Sequence, residues 1–121
     1  MEIDFEKPTL EKPHPIVEEG GSGTQKIWRF PNGYGASVVQ FKLMGNLGYG
    51  SYTSNENEWE LTVLKFKGKD IDSFELCYDT SITSDVIGHL TKTEVEEILL
   101  KISKLEWELW KKNKKRVTKI N

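Results

Sequence analysis

The chain is short of the residues on which staples and most catalytic centres are built: its 121 residues include one cysteine and two histidines. A single cysteine permits no internal disulfide and no multi-cysteine zinc site, and nothing else in the composition asks for an oxidising compartment. His14 and His89 lie far apart and no close Cys or His pairing occurs, so no metal is expected. Long apolar runs are missing as well, since none approaches the roughly 20 residues of a membrane-spanning helix. The first ten residues carry acids where a secretion signal carries a basic and then an apolar segment. The expectation is a cytoplasmic protein that does not associate with membranes. What is present suffices for one core: 36% of the residues are hydrophobic, and a fold of this size buries somewhat over about 60% of its unfolded surface.

The net charge of −2 hides an uneven layout. Residues 1–110 carry 11 basic and 19 acidic side chains, a balance of −8, whereas residues 111–121 carry six basic ones and no acid. Lys111, Lys112, Lys114, Lys115 and Arg116 are candidates for weak nucleic-acid contacts, because each cation that meets a polyanion releases condensed counterions. The bland reading of the same residues is a solvated tail. An acidic body argues against a duplex-binding domain and for attraction to a basic partner, such as the channel of a nucleic-acid-handling enzyme.

The organisation reads in three parts: an extended arm with a Gly-rich joint over 1–24, an α+β domain over 25–112 and a basic tail over 113–121. Three of the four prolines and the run Gly20, Gly21, Ser22, Gly23 fall in the first part. Strand patterns follow at about 25–30, 36–43, 59–66 and 74–78. Asn32-Gly33 between the first two predicts a hairpin with a type I′ turn. In the third, Trp59, Leu61 and Val63 alternate with polar residues before Leu64 and Phe66 reverse the preference. Sequential strands with short connections predict a four-stranded antiparallel meander. Residues 84–88 read as a helical turn. Thr91 followed by Glu94 is a capping box, and Val95, Ile98, Leu99, Ile102, Leu105 and Leu109 form one stripe of a helix over about 92–112. That helix is expected to cover one face of the sheet. Trp28, Val38, Leu64 and Phe66 are assigned to the other, which would pack on the arm or in a homodimer.

Candidate chemistry is sparse. Cys77, His89 and Asp79 supply the residue types of a nucleophilic site, but a strand cysteine serves more often as a small hydrophobe. Gly45, Gly48 and Gly50 join two strands and so lack the helix N-terminus of a phosphate loop. Their segment reads either as a flexible hairpin loop or as a loop that presents Tyr49 and Tyr52 to a partner. Asp79, Thr80, Thr83, Ser84 and Asp85 are read as turn-capping residues. Trp110 borders the helix stripe and Trp107 lies off it, beside the lysine cluster, which suggests a second contact surface. The partner-binding candidates are therefore Tyr49, Tyr52, Trp107 and Trp110, with no catalytic residue, metal or cofactor expected.

The segments FPNGYGASV (30–38), WELTV (59–63), ELCYDT (75–80) and SDVIGHLT (84–91) resemble those of small proteins of bacteriophages and integrated mobile elements. The resemblance spans about residues 28–102 and leaves out the arm and the tail. It brings no catalytic residue. It implies a non-enzymatic protein that binds a host protein in the bacterial cytoplasm, inhibitors of CRISPR nucleases and other defence enzymes being one such class. Two alternatives stand beside it: a small-molecule or nucleotide sequestering protein with its pocket in the 45–58 loop, and an accessory nucleic-acid binder acting through the basic tail.

Overall fold

The computed structural model describes residues 3–43, 53–71, 73–77 and 86–105. Among these, six strands form one antiparallel sheet: β1 (Leu10–Pro13), β2 (Ser22–Arg29), β3 (Tyr34–Lys42), β4 (Trp59–Phe66), β5 (Phe74–Leu76) and β6 (Ile87–Leu90). The order is β1-β2-β3-β4-β5, with β6 also on β4. The two short strands share one flank of β4, β5 pairing with Leu64–Phe66 and β6 pairing near Trp59 and Leu61 across an irregular register. Helix α1 (Lys92–Ile102) follows β6. The α+β class with an antiparallel sheet and a C-terminal helix is as expected.

The expected four strands are β2 to β5, and the sheet adds one at each flank. β1 comes from residues read as an extended arm. Its LEKP sequence has a single large apolar residue, so its strand character comes from backbone pairing with residues 24–27 of β2 rather than from side-chain alternation. β6 comes from the connector read as a helical turn; Ile87 and Gly88 belong to the strand, while residues 84 and 85 lie outside the described residues. The joint is not a hinge either. A 3-10 helix occupies Pro15–Glu19, and Ser22 and Gly23 already pair with Lys42 and Phe41. A Cβ on Gly23 would lie 2.5 Å from the Phe41 Cβ, so glycine is required there by close packing.

The hairpin between β2 and β3 forms where Asn-Gly predicts it, but with another turn. The Gly33 N–H donates to the Phe30 carbonyl at 3.1 Å, Gly33 has φ +86°, and Asn32 is not among the positive-φ residues. This is a type I turn closed by a left-handed glycine. Pro31 explains the choice: its fixed negative φ suits the second position of a type I turn, whereas a type I′ turn centred on Asn32-Gly33 would make Pro31 the first residue of the turn, where the strand pairing needs an N–H that proline lacks.

Each face of the sheet carries a core. On the helix side, Trp28, Ala36, Val38, Leu61 and Val63 pack with Val95, Leu99 and Ile102 of α1, and Phe5 of the arm is buried with them. On the other side a smaller cluster of Ile27, Leu64 and Phe66 gathers Leu10, Ile71 and Phe74. Trp28 and Val38 thus lie under the helix, contrary to their expected face, whereas Leu64 and Phe66 lie on the second face as expected. The register explains the correction: Trp28 is opposite Ala36 and Ala36 opposite Val63, so all three share the side on which β4 presents its alternating apolar residues.

The capping box holds the start of α1: the Glu94 N–H donates to Thr91 Oγ1 at 3.2 Å and the Thr91 N–H to Glu94 Oε1 at 3.0 Å. The described helix ends at Ile102, and the expectation for residues 106–112 lies outside the described residues. No helix among the described residues is long and apolar enough to cross a membrane.

This topology gives the sheet two distinct ends. The proximal end holds the starts of β2, β4 and α1 and the 3-10 helix; the distal end holds the 30–34 turn, the 66–74 turn and the close of α1.

Candidate functional site

The site candidates named from sequence, Tyr49, Tyr52, Trp107, Trp110, Lys111, Lys112, Lys114, Lys115 and Arg116, all lie outside the described residues. Of the nucleophile set, Asp79 also lies outside. Cys77 is buried in the helix-side core, its N–H donating to the Val63 carbonyl at 2.8 Å. His89 is exposed on β6 and engaged elsewhere. The structure does not bring the two together as a site.

His89 belongs instead to a cluster that sequence reading missed. Its Nδ1 lies 2.9 Å from Glu58 Oε1 and 3.4 Å from Ser54 Oγ, and the same carboxylate oxygen accepts the Ser54 N–H at 2.7 Å. These bonds hold the Glu58 carboxyl below its ordinary value, with the histidine contributing most. Serine, histidine and a carboxylate are the members of a hydrolytic triad, but a triad needs serine and acid on opposite ring nitrogens. Here both sit on Nδ1, so the arrangement fastens the 53–58 turn to β6. His89 itself has φ +55°, in the left-handed region that histidine visits more readily than most residues. No spacing signals this group, because its members come from a loop and a strand about 30 positions apart.

His14 also serves the backbone. Its Nδ1 accepts the Ile16 N–H at 3.0 Å at the start of the 3-10 helix, its ring stacks on Phe41 with centroids 4.3 Å apart, and burial lowers its pKa.

Two basic side chains are drawn into the fold. Lys26 is buried at the rim of the helix-side core, with Nζ 2.9 Å from Glu11 Oε1 and 3.3 Å from the Phe5 carbonyl it donates to, and 4.5 Å above the Phe5 ring. The Phe5 N–H donates to Glu96 Oε2 at 2.8 Å, and Lys92 pairs with Glu6 at 3.2 Å. The arm is thereby clamped to both β2 and α1. Arg29 donates to the carbonyls of Gly68, Lys69 and Asp70 and lies 4.7 Å over the Phe66 ring, shaping the 67–73 turn.

The remaining charges are segregated along the sheet. Glu18, Glu19, Glu56 and Glu94 are exposed at the proximal end, with Glu58 half-buried beside them and Lys42 and Lys92 as the exposed bases. Lys65, Lys67, Lys69, Lys101 and Lys104 are exposed toward the distal end, with Asp70 and Glu75 exposed among them, so the excess of each sign is partial. A shallow open hollow of about 230 Å³ lies at the proximal end, lined by Ser22, Gly23, Gln40, Phe41, Lys42 and Glu56.

Comparison with family models, with curated proteins and with solved structures gives no match.

Proposed function

We propose that the chain is a non-enzymatic binding module of a bacteriophage or mobile element, which acts in the bacterial cytoplasm by occupying the basic surface of a host nucleic-acid-handling enzyme and so inhibits it. The observation that carries this reading is the carboxylate-rich proximal end, where Glu18, Glu19 and Glu56 are all exposed. Such an end competes with nucleic acid for a cationic channel, since complementary charge speeds encounter and excludes wrong partners. The roles of the chemically capable side chains agree with it: His14, His89, Lys26 and Arg29 each hold a piece of backbone or a neighbouring loop in place.

The test is capture of lysate proteins on the tagged chain after nuclease treatment, repeated with the triple variant Glu18→Lys, Glu19→Lys, Glu56→Lys. The expected result is a nucleic-acid-handling enzyme that the native chain binds and inhibits, and that the variant binds more weakly by about tenfold or more. Capture that ignores the charge reversal, or a captured enzyme whose activity is unchanged, removes the proposal.

A further inference from the structure

We infer that the distal end of the domain is a nucleic-acid contact surface, formed by Lys65, Lys67, Lys69, Lys101 and Lys104. The inference goes beyond the protein-binding reading, because it concerns the opposite end of the sheet. These lysines come from three elements that are distant in sequence. Lys65 lies near the end of β4, Lys67 and Lys69 in the turn that follows it, and Lys101 and Lys104 in and just past the last turn of α1. Two contacts bring the elements together: Asn32 Nδ2 donates to the Ile102 carbonyl at 2.8 Å, and Lys65 Nζ stands 6.0 Å over the ring of Tyr34, two residues on from Asn32.

The fold also separates cations that stay out from the one that does not. Arg29 spends its guanidinium on three carbonyls of the 68–70 stretch, which fixes the course of the turn, while Lys65, Lys67 and Lys69 around it remain exposed. In sequence the acids of that stretch are Asp70, Asp72 and Glu75, and Glu75 is ion-paired to Lys67 at 2.9 Å. Glu97, one helical turn before Lys101, is exposed as well, so among the described residues the five lysines stand against three exposed acids, Asp70, Glu75 and Glu97. In sequence the chain continues through Glu106 and Glu108 to residues 111–121, with six basic side chains and no acid. Compact, hydrated ammonium groups spread over one end of a domain suit a phosphate backbone, which is read by charge and not by base identity.

The test is binding of a labelled single-stranded DNA of mixed sequence by fluorescence anisotropy, across a series of salt concentrations, with the full-length chain. The triple variant Lys65→Gln, Lys69→Gln, Lys104→Gln leaves the Lys67–Glu75 pair intact, and Lys42→Gln at the proximal end is the control. Each phosphate contact contributes about 0.7 to the slope of log affinity against log salt for single strands, so the triple variant is expected to flatten that slope by about 2. Lys42→Gln is expected to leave it unchanged. Circular dichroism melts matching the native chain establish that the variants are folded; should the triple variant unfold, the single Lys69→Gln variant carries the test, with an expected loss of about 0.7 in slope. No binding of DNA by the native chain, an unaltered slope in the distal variants, or an equal loss in Lys42→Gln overturns the inference. Binding of an acidic protein with no binding of DNA overturns it too.

Discussion

Asn32 and Ile102, 70 positions apart, are joined by a hydrogen bond of 2.8 Å from the Asn32 side-chain amide to the Ile102 carbonyl. The same side chain accepts the Tyr34 N–H at 2.9 Å through Oδ1, so one residue closes the β2–β3 turn and caps the last turn of α1. Asn32→Ala removes both bonds and is expected to cost about 1–3 kcal/mol. Asn32→Asp keeps the Tyr34 bond, loses the donor and sets a negative charge against the helix C-terminus, which adds about 0.3–1 kcal/mol to the loss of the helix bond. Urea denaturation of the two variants checks this. Equal stability of both with the native chain would show that the turn and helix are held by packing alone.

Phe5 makes the arm part of the domain. Its ring is 5.0 Å from that of Trp59 in an edge-on arrangement and 6.1 Å from that of Trp28, and only 3% of the residue is exposed. Phe5→Ala is expected to lower stability by about 3 kcal/mol, the lower part of the range for buried phenylalanine, because an arm can detach before the sheet unfolds. Both lysines of the arm are followed by proline and resist trypsin, so a glutamate-specific protease is the probe: it should cut after Glu6 and Glu11 faster in the variant than in the native chain. An unchanged urea midpoint with an unchanged digestion pattern would mean that the arm contributes nothing to the core.

How far the sequence disclosed this structure depends on which force set each element. The capping box of Thr91 and Glu94, and the reversal of preference at Leu64 and Phe66, are local patterns and were legible. β1 was not, since the backbone of β2 recruits it and Leu10 alone signals an apolar face. The sides of Trp28 and Val38 were not legible either, because both faces of the sheet bury apolar residues and alternation alone leaves them equivalent. Clusters such as His89 with Glu58 and Ser54, or Lys26 with Glu11 and Phe5, exist only once the strands are paired. The surface residues favoured from sequence, Tyr49, Tyr52, Trp107 and Trp110, lie outside the described residues.

Gly33 and Gly35 are two positions apart and irreplaceable for different reasons. A Cβ on Gly33 meets nothing within 4 Å, but the residue has φ +86°. Gly33→Ala is therefore expected to cost about 1–2 kcal/mol from backbone strain, with Gly33→Asn recovering part of it because asparagine tolerates that region. A Cβ on Gly35 would lie 1.9 Å from the Trp28 carbonyl oxygen and 2.8 Å from the Phe66 ring. No rotamer relieves a clash with backbone, and Gly35→Ala is expected to cost about 3 kcal/mol or more as the hairpin separates. Thermal melts are the check, with the smallest loss expected for Gly33→Asn, a larger one for Gly33→Ala and the largest for Gly35→Ala. A Gly35→Ala melt close to the native one would refute the close approach.

Two titrating groups should give the stability curve opposite slopes in two pH windows. Burial lowers the His14 pKa from its ordinary 6.5, and Nδ1 can accept the Ile16 N–H only while unprotonated. Its contribution is fully present above 6.5 and is lost as pH falls from 6.5 through the depressed folded value, because the unfolded chain takes up the proton first. Glu60 behaves in the reverse sense. Its Oε2 is buried without a hydrogen-bond partner among the described residues, and burial raises its pKa from the ordinary 4.5. The folded state then holds the proton more tightly, so this contribution is present below 4.5 and is lost as pH rises through the elevated folded value. At neutral pH the ionised Glu60 opposes folding. Glu60→Gln is therefore expected to raise the urea midpoint at pH 7, with the gain shrinking as the pH is taken down to 4.5 and below. His14→Asn keeps a capping oxygen without a titrating ring and is expected to flatten the fall in stability below pH 6.5. Urea midpoints of the native chain and both variants from pH 4 to 8 decide the matter. A Glu60→Gln gain that is independent of pH would assign its effect to packing rather than to the buried carboxylate.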